Sequence, residues 1–124
     1  MGESNYLIGQ RAEQKACDFL QQQGLRLIFR NYHNRHGEID LIMQDGNDIV
    51  FIEVRARARN QYGSAIESID TKKQYKLIKT AAYYLQYFYK AEEINCRFDV
   101  IGISPHEKIE WIKDAFSTDM SYCL

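Results

Sequence analysis

The chain has 124 residues, of which 45% are hydrophobic, and its formal net charge is −1 at pH 7. A chain of this length predicts one domain with a core of its own. The near-neutral charge excludes a protein that coats nucleic acid through an overall positive surface, so any basic surface must be a local patch.

The cysteine pattern and the hydropathy of the chain predict a cytoplasmic protein. Its 3 cysteines lie far apart, without the paired spacing of a zinc site or a disulfide framework, which fits a reducing compartment. No apolar run approaches the roughly 18 residues that a membrane-spanning helix needs. The first residues also lack the charged and then apolar pattern of a signal peptide. We therefore expect no membrane partner.

The hydrophobic periodicity predicts alternating helices and strands. In chain order, we expect a helix over 6–23, strands over 25–32, 36–44 and 48–57, a loop over 58–69, a helix over 71–89, and strands over 96–104 and 108–113. This order, α-β-β-β-α-β-β, predicts an α/β fold with a mixed β-sheet flanked by helices. We expect a single domain over 1–124, with 116–124 as a loose tail.

The first predicted helix carries an acidic side chain at the edge of its apolar face. The apolar residues that share this face at helical spacing are Leu7, Ile8, Ala12, Ala16, Phe19 and Leu20. Glu13 projects beside them, where a solvated surface charge and a functional acid are both open interpretations. Gly9 lies one turn earlier. Because glycine destabilises a helix interior by about 1 kcal/mol relative to alanine, it indicates close approach of another backbone or of a ligand.

Residues 37–57 are typical of a β-hairpin with one carboxylate on each strand. If Gly46-Asn47 forms a two-residue loop, Asp40 lies directly opposite Glu53, with the two Cβ atoms about 4.5–5.5 Å apart. A loop placed one residue earlier would put the two acids diagonally on one face, and a three-residue loop would separate them.

Two carboxylates held this close repel each other unless a cation lies between them. Both acids are embedded in apolar runs, where a buried carboxylate without a partner is costly. Mg²⁺ binds oxygen ligands at about 2.0–2.1 Å, so Asp40 and Glu53 could share one ion. The alternative is an ordinary pair of solvated acids on a surface hairpin.

The second predicted helix places an amide on its apolar face. Gln74 projects onto the same side as Leu77, Ala81 and Leu85, so it needs a hydrogen-bond partner. A bond to the backbone and a role at a functional site are both open interpretations.

Two further patterns have structural interpretations. The tyrosines of the second helix form an aromatic belt, which suggests a surface large enough for a homodimer; they are Tyr75, Tyr83, Tyr84, Tyr87 and Tyr89. Arg97 and Asp99 share one face of a strand, where we expect an ion pair rather than chemistry.

Five segments, in this order and spacing, resemble the YraN-like family of small bacterial proteins. They are Gly9 with Glu13 on the first helix, Gly37-Glu38-Ile39-Asp40, Phe51-Ile52-Glu53-Val54-Arg55, Lys73 at the start of the second helix, and Arg97-Phe98-Asp99-Val100. The resemblance covers residues 6–116. That family is similar to the restriction-endonuclease-like PD-(D/E)XK nucleases, and within them to archaeal Holliday-junction resolvases.

The resemblance implies a restriction-endonuclease-like core and a metal-dependent nuclease that hydrolyses DNA, branched or single-stranded. Asp40 matches the metal-binding Asp of the nuclease pattern, Glu53-Val54-Arg55 matches Glu-x-Lys, and Glu13 matches an acid on the first helix. The implied cofactor is Mg²⁺ or Mn²⁺. We expect Asp40, Glu53 and the backbone carbonyl of Val54 to bind it, with Arg55 and Gln74 as further catalytic residues.

Arg55 stands where the nuclease pattern has lysine. Arginine keeps its proton and so cannot act as a base, although it can stabilise a charged phosphate through paired hydrogen bonds. Strand parity places Arg57 and Arg59 on the same face, where we expect phosphate contacts. Tyr62 and Lys73 are further predicted nucleic-acid-binding residues. Two alternatives stay open: a nucleic-acid-binding module on a nuclease fold with weak or no catalysis, and a protein-interaction adaptor.

Overall fold

The computed structural model describes residues 4–57, 65–90, 93–106 and 108–116. Its elements are, in order, α1 (Asn5–Gln22), β1 (Arg26–Asn34), β2 (Gly37–Asp45), β3 (Asp48–Ala56), a short 3-10 helix (Ala65–Ser68), α2 (Thr71–Tyr89), β4 (Cys96–Ile103) and β5 (Ile109–Ile112). The predicted order of helices and strands is confirmed. The 3-10 helix is an addition within the segment predicted as a loop.

The strands form one five-stranded sheet in the order β1-β2-β3-β4-β5. β3 and β4 run parallel, whereas every other neighbouring pair is antiparallel. A parallel pair needs a crossover connection, and α2 supplies it. The predicted α/β fold, with a mixed sheet flanked by helices, is therefore confirmed.

The two helices cover opposite faces of the sheet. Under α1, the buried side chains of helix and sheet include Ala12, Ala16, Leu20, Leu41, Val50 and Ile52. Under α2, they include Leu77, Ala81, Tyr84, Ile42, Phe51 and Phe98. Because β2 and β3 are covered on both faces, they form nearly continuous apolar runs rather than alternating ones. Among the helices of the described ranges, none combines the length and the apolar character needed to cross a membrane.

The hairpin between β2 and β3 has the predicted two-residue loop. Asp45 pairs with Asp48, which leaves Gly46 and Asn47 between the strands, and Gly46 has a φ of +61°. This left-handed conformation is one that glycine adopts readily. The register that would bring Asp40 and Glu53 together is therefore set by the turn.

Each helix begins at a side chain that caps its first turn. Ser4 Oγ accepts a hydrogen bond from the backbone N–H of Leu7 at 3.2 Å. Asp70 Oδ1 accepts one from the backbone N–H of Lys73 at 2.8 Å. The Asp70 cap fixes the direction in which α2 starts, and with it the place of Lys73 in the first turn.

Two expectations about the ends of the chain are wrong, and one of the two interpretations of Gly9 is excluded. Leu7 and Ile8 are 46% and 42% exposed, because the first turns of α1 line surface clefts instead of the core. Gly9 has no atom within 4 Å of the position that a Cβ would take, so no backbone approaches it closely. Phe116 is buried and packs its ring 5.1 Å from that of Phe98, so the predicted loose tail over 116–124 is wrong at its first residue.

Asp99 is a buried carboxylate with a purely structural environment. It is 1% exposed and accepts hydrogen bonds from Arg97 Nε at 3.0 Å, from Trp111 Nε1 at 3.0 Å and from the backbone N–H of Asp114 at 2.9 Å. Arg97 also contacts Asp45 at 3.0 Å. The predicted ion pair between Arg97 and Asp99 is confirmed, and it joins β4, β5 and the hairpin turn.

Several aromatic side chains remain exposed on and near α2. They are Phe29, Tyr75, Tyr83, Tyr87 and Phe88. Tyr84, by contrast, is 1% exposed and belongs to the core, so the predicted aromatic belt is divided between core and surface. The homodimer that this belt suggested stays a prediction.

Candidate active site

The candidate site lies where β2 and β3 separate. Their backbone ladder runs from Asp45–Asp48 to Leu41–Ile52 and stops there. The next residues are Asp40 and Glu53, which face each other across the opening fork. The N–H of Val54 donates instead to Asp40 Oδ2 at 2.8 Å. A side-chain hydrogen bond thus replaces the next rung of the ladder and holds one carboxylate in the fork.

A third acid reaches this place from α1. Glu13 lines a cleft of about 450 Å³ together with Gly9, Glu38 and Asp40. The charge of Glu53 is close enough to Glu13 to raise the pKa of the Glu13 carboxyl. Glu13 and Asp40 therefore line one cleft, within electrostatic reach of Glu53, and the open space beside Gly9 belongs to that cleft.

Two oxygen atoms of this cluster are buried without a well-aligned hydrogen bond. Among the described residues, the buried side-chain atoms that lack a hydrogen-bond partner are Glu13 Oε1 and Glu53 Oε2. The Glu53 side chain is nearly covered, since the residue is 6% exposed. A buried polar atom without a partner destabilises the folded chain by about 1–3 kcal/mol. Glu13 Oε1 is therefore available to a ligand that supplies positive charge, whereas Glu53 Oε2 already lies 3.2 Å from Lys73 Nζ.

The electrostatics of the fork favour protonation when no cation is bound. Burial raises the pKa of Asp40 from 3.8 to about 9, with contributions from hydrogen bonding to Glu53 and from the charges of Glu53 and Glu13. The N–H of Val54 acts in the opposite direction. Burial also raises the pKa of Glu13, against the lowering influence of Arg30. The cluster holds more negative charge than its few donors can stabilise.

Lys73 is the cation that touches the acids. Its Nζ lies 3.2 Å from Glu53 Oε2, an ion pair whose alignment leaves that oxygen without a true hydrogen bond. The lysine side chain is 39% exposed, so its amine lies between the buried carboxylate and solvent. The sequence predicted Lys73 only as a nucleic-acid contact, although its place three residues after the Asp70 cap fixed it in the first turn of α2.

Arg55 and Gln74 are held by structural hydrogen bonds. Arg55 donates from Nε to Ser68 Oγ at 3.2 Å and from Nη2 to the Ser68 carbonyl at 3.0 Å. Gln74 donates from Nε2 to the Ile69 carbonyl at 3.1 Å, which is the backbone bond that the sequence left open as an alternative. Both side chains thus anchor the segment between β3 and α2, and their predicted catalytic roles stay predictions.

The predicted nucleic-acid-binding residues fall in different places. Arg57 lines a second cleft, beside the start of α1. Arg59 and Tyr62 lie outside the described residues. His33 and Glu38 line the acidic cleft although the sequence reasoning did not select them for the site. Their position just before and after the turn between β1 and β2 was the available signal.

The residues of the fork fit a hard divalent cation. Carboxylate oxygens are the ligands that Mg²⁺ and Mn²⁺ prefer, and Asp40 and Glu53 bring such oxygens to the fork, where Glu53 Oε2 is paired with Lys73. Within the described ranges, no three or more His, Cys, Asp or Glu side chains are already arranged to hold a metal ion together. Asp40 and Glu53, which face each other across the fork, are therefore the pair that could hold an ion.

The raised pKa of Asp40 predicts that the metal-free protein loses stability as pH rises. Asp40 titrates near 3.8 when unperturbed and at about 9 in the folded protein. The native state therefore binds more protons within that window, and the free energy of unfolding falls from about pH 4 to about pH 9. In Asp40→Asn an amide oxygen still accepts a hydrogen bond from the N–H of Val54, but the carboxyl group that titrates is removed. Urea unfolding at about pH 5 and about pH 8 should give a smaller difference for this variant.

The control for this measurement is Asp48→Asn, which alters an acid on the same hairpin but outside the fork. It should keep the pH dependence of the wild type. Equal pH dependence in Asp40→Asn and wild type would contradict the raised pKa.

Two solved structures are similar to most of this chain. One is a repair endonuclease from Pyrococcus abyssi, with a TM-score of 0.42 and 22% sequence identity, covering 84% of this chain and 39% of that one. The other is Pyrococcus furiosus SfsA in complex with Ca²⁺, with a TM-score of 0.38 and 13% identity, covering 89% of this chain and 64% of that one. This chain thus spans less than two thirds of either protein.

The curated relatives are similar in sequence over nearly their whole length. A UPF0102 protein from Nitrosococcus oceani is 51% identical over 114 residues, which cover 90% of this chain and 92% of the relative. One from Nitrosomonas eutropha is 52% identical over 108 residues, covering 87% and 91%. The model of the uncharacterised protein family UPF0102 matches residues 12–103. The family resemblance inferred from the motifs is confirmed, and the chain belongs to the family UPF0102.

Proposed function

We propose that this protein is a metal-dependent nuclease that hydrolyses phosphodiester bonds of DNA. The observation that carries the proposal is the fork between β2 and β3, where the partly buried Asp40 lies opposite the buried Glu53 with few donors. Glu53 Oε2 has no hydrogen-bond partner among the described residues and lies 3.2 Å from Lys73 Nζ. Carboxylates that can hold a divalent ion, with a lysine in contact with one of them, are groups that metal-dependent phosphodiester hydrolysis uses.

Asp40 and Glu53 would hold Mg²⁺ or Mn²⁺, with the carbonyl of Val54 as a further predicted ligand. When bound, such an ion supplies a Lewis acid that lowers the pKa of water and offsets negative charge on a phosphate. The N–H of Val54 orients Asp40 through the 2.8 Å hydrogen bond to Oδ2. That contact fixes one ligand in place before substrate arrives, which is the preorganisation a catalytic site needs.

Glu13 is the group suited to accept a proton from water. Burial raises the pKa of its carboxyl, so it can accept a proton from water more readily than an ordinary glutamate. Its Oε1 is buried without a partner and the residue lines the cleft. A water molecule in the cleft could therefore be oriented by this oxygen as it attacks phosphorus.

Lys73 takes the electrostatic role that the sequence pattern assigned to Arg55. Its amine contacts the acidic cluster, whereas both hydrogen bonds of the Arg55 guanidinium described above go to Ser68. A protonated amine at this place stabilises the charge that develops on phosphate oxygens. We infer that the functional cation of this protein comes from α2 rather than from β3.

Cleavage of DNA in the presence of Mn²⁺ tests the proposal. Single-stranded, duplex and branched oligonucleotides are incubated with the wild type, Asp40→Asn and Glu53→Gln. We expect cleavage by the wild type and at least an about 100-fold loss in both variants, because each removes a charged ligand. Asp48→Asn, on the same hairpin, should cleave like the wild type.

Two outcomes would contradict the nuclease assignment. Cleavage that survives both substitutions would come from another site or another protein. DNA binding by the wild type without cleavage in either metal would favour the alternative of a non-catalytic nucleic-acid-binding module.

The roles of Lys73 and Arg55 can be separated by alanine substitution. Lys73→Ala should reduce the cleavage rate by about 100-fold with little change in thermal stability, since its side chain is partly exposed. Arg55→Ala should retain cleavage but lower the free energy of unfolding by about 1 kcal/mol through the lost bonds to Ser68. The measurements are single-turnover cleavage and urea unfolding. Loss of cleavage in Arg55→Ala, with cleavage retained in Lys73→Ala, would assign the catalytic role to Arg55 instead.

A further inference from the structure

The side of α2 that faces solvent carries lysines along its first half and tyrosines along its second half. At about 100° per residue, the side chains of this set fall within roughly a quarter of a helical turn. They are Lys72, Lys76, Lys79, Tyr83 and Tyr87, and we name them the α2 stripe. Leu77 and Ala81, on the other side of the helix, are buried. The helix contains no aspartate or glutamate.

The lysines of the α2 stripe carry positive charge that no ion pair offsets among the described residues. The lysine of α2 that does form an ion pair there is Lys73, on the adjoining face of the helix. Lys72 and Lys76 are exposed. Lys79 places its amine 4.7 Å from the ring centroid of Tyr75, and a contact with an aromatic ring orients the amine without removing its charge. The stripe is thus a local basic patch on a chain whose net charge is −1.

The turn between β1 and β2 extends the aromatic end of the α2 stripe. The guanidinium carbon of Arg35 lies 5.7 Å from the ring centroid of Tyr83, and the ring centroid of His36 lies 5.6 Å from it. Asn34 Nδ2 donates to the carbonyl of Thr80 at 3.2 Å, which holds the turn against the helix. A cation is therefore placed beside the tyrosines before any ligand binds, and a preformed site loses less conformational entropy on binding.

We propose that the α2 stripe binds a single-stranded segment of the nucleic acid that enters the fork, an inference that rests on the proposed nuclease function. The amines suit phosphates, and tyrosine rings suit the faces of unpaired bases. Tyr83 and Tyr87 are 37% and 66% exposed. Their rings lie within 10° of parallel, with centroids 6.5 Å apart, so the two rings are oriented alike, as successive bases of a strand are.

Two other occupants fit the α2 stripe less well. In a duplex the faces of the bases are already stacked on each other, so the tyrosines would meet only phosphates and groove edges. A second copy of this chain, related by a twofold axis, would bring the same surface onto itself. Lysines would then face lysines, and like charges in contact oppose association. A single strand both neutralises the amines and offers base faces to the rings.

The α2 stripe begins beside the fork. Lys73, in the first turn of the helix, lies 3.2 Å from Glu53. The turn between β1 and β2 reaches both places, because His33 and Glu38 line the acidic cleft while Arg35 packs against the stripe. The stripe itself extends about 22 Å at roughly 1.5 Å per residue, which is enough for several nucleotides at about 3.4 Å each. A strand held in the fork can therefore continue along α2.

Fluorescence anisotropy of the full chain in a metal chelator tests this inference without cleavage. The probes are a labelled single-stranded DNA oligonucleotide of about 12 nucleotides, its duplex, and a strand of equal length made of abasic nucleotides. We expect the intact strand to bind about tenfold more tightly than the abasic strand, and more tightly than the duplex. Tyr87→Leu, which removes the ring but keeps a good helix former, should bind the intact strand about fivefold more weakly and the abasic strand as the wild type does.

The lysines are tested by the salt dependence of the same binding. Lys72→Ala and Lys76→Ala should each reduce the slope of log affinity against log salt by about 0.7, the value for one contact to a single strand. The matched control is Lys113→Ala, which should keep the slope of the wild type. The amine of Lys113 also lies on an aromatic ring, 4.3 Å from the centroid of Trp111, but on the α1 side of the sheet. Circular dichroism of each variant checks that it is folded.

The possible results separate this inference from the proposed function. Equal affinity for intact and abasic strands, tighter binding of the duplex, no binding of any strand, or lysine variants that match Lys113→Ala would overturn it, even if Asp40-dependent cleavage is found. A preference for bases that falls in Tyr87→Leu, with reduced slopes in Lys72→Ala and Lys76→Ala, would support it, even if no cleavage is found in any metal.

Discussion

The separation of β2 from β3 is the constraint on which the site depends. As long as the strands pair, their backbone groups satisfy each other. Beyond Leu41 and Ile52 the ladder stops, and two carboxylates occupy the opening with a single backbone N–H, that of Val54, directed at one of them. Burial in this opening, together with the hydrogen bond and charge of Glu53, raises the pKa of Asp40, and Lys73 forms an ion pair with the Glu53 carboxylate.

Asp99 is a buried carboxylate of the same sheet whose hydrogen bonds are satisfied within the protein. It is even more deeply buried than Glu53, yet it receives hydrogen bonds from Arg97, Trp111 and the backbone of Asp114. Glu53 keeps an oxygen with no hydrogen bond, and Asp40 is pushed toward its protonated form. The sheet thus contains one satisfied acid that contributes to stability and a pair that costs stability. Such a cost at a site is expected where function requires the arrangement.

The elements that surround the fork hold its side chains from three directions. α1 brings Glu13 from one face of the sheet, and α2 brings Lys73 from the other, with its first turn fixed by the Asp70 cap. The segment before α2 is anchored by the bonds of Arg55 to Ser68. Rigid elements that converge on a cleft keep catalytic groups in place more accurately than loops do.

Local patterns in the sequence predicted the helices, strands and hairpin register, because each depends on neighbouring residues. Hydrophobic period and the Gly46-Asn47 turn are such patterns, and the turn alone placed Asp40 near Glu53. The contacts of Lys73 and Arg55 could not be predicted in this way. They depend on how α2 and the 3-10 helix pack against the hairpin. α2 is separated from the hairpin in sequence, and the 3-10 helix has no hydrophobic period of its own, so local patterns do not predict this packing.

The exposure of side chains on α1 also could not be predicted from hydrophobic periodicity. The spacing of Ile8 places it on one face of α1 with the core residues, but spacing does not indicate how far the sheet extends beneath the helix. The first turns of α1 line the clefts instead. Gly9 also borders one of these clefts, so the space beside it is open and no backbone lies there.

Anomalous diffraction from a crystal soaked in Mn²⁺ tests the central claim most directly, because it locates the ion independently of any reaction. The fork predicts a peak within about 2.2 Å of carboxylate oxygens of both Asp40 and Glu53. A peak at some other place, or no peak while Lys73 remains paired with Glu53, would contradict the assignment of this fork as a metal centre.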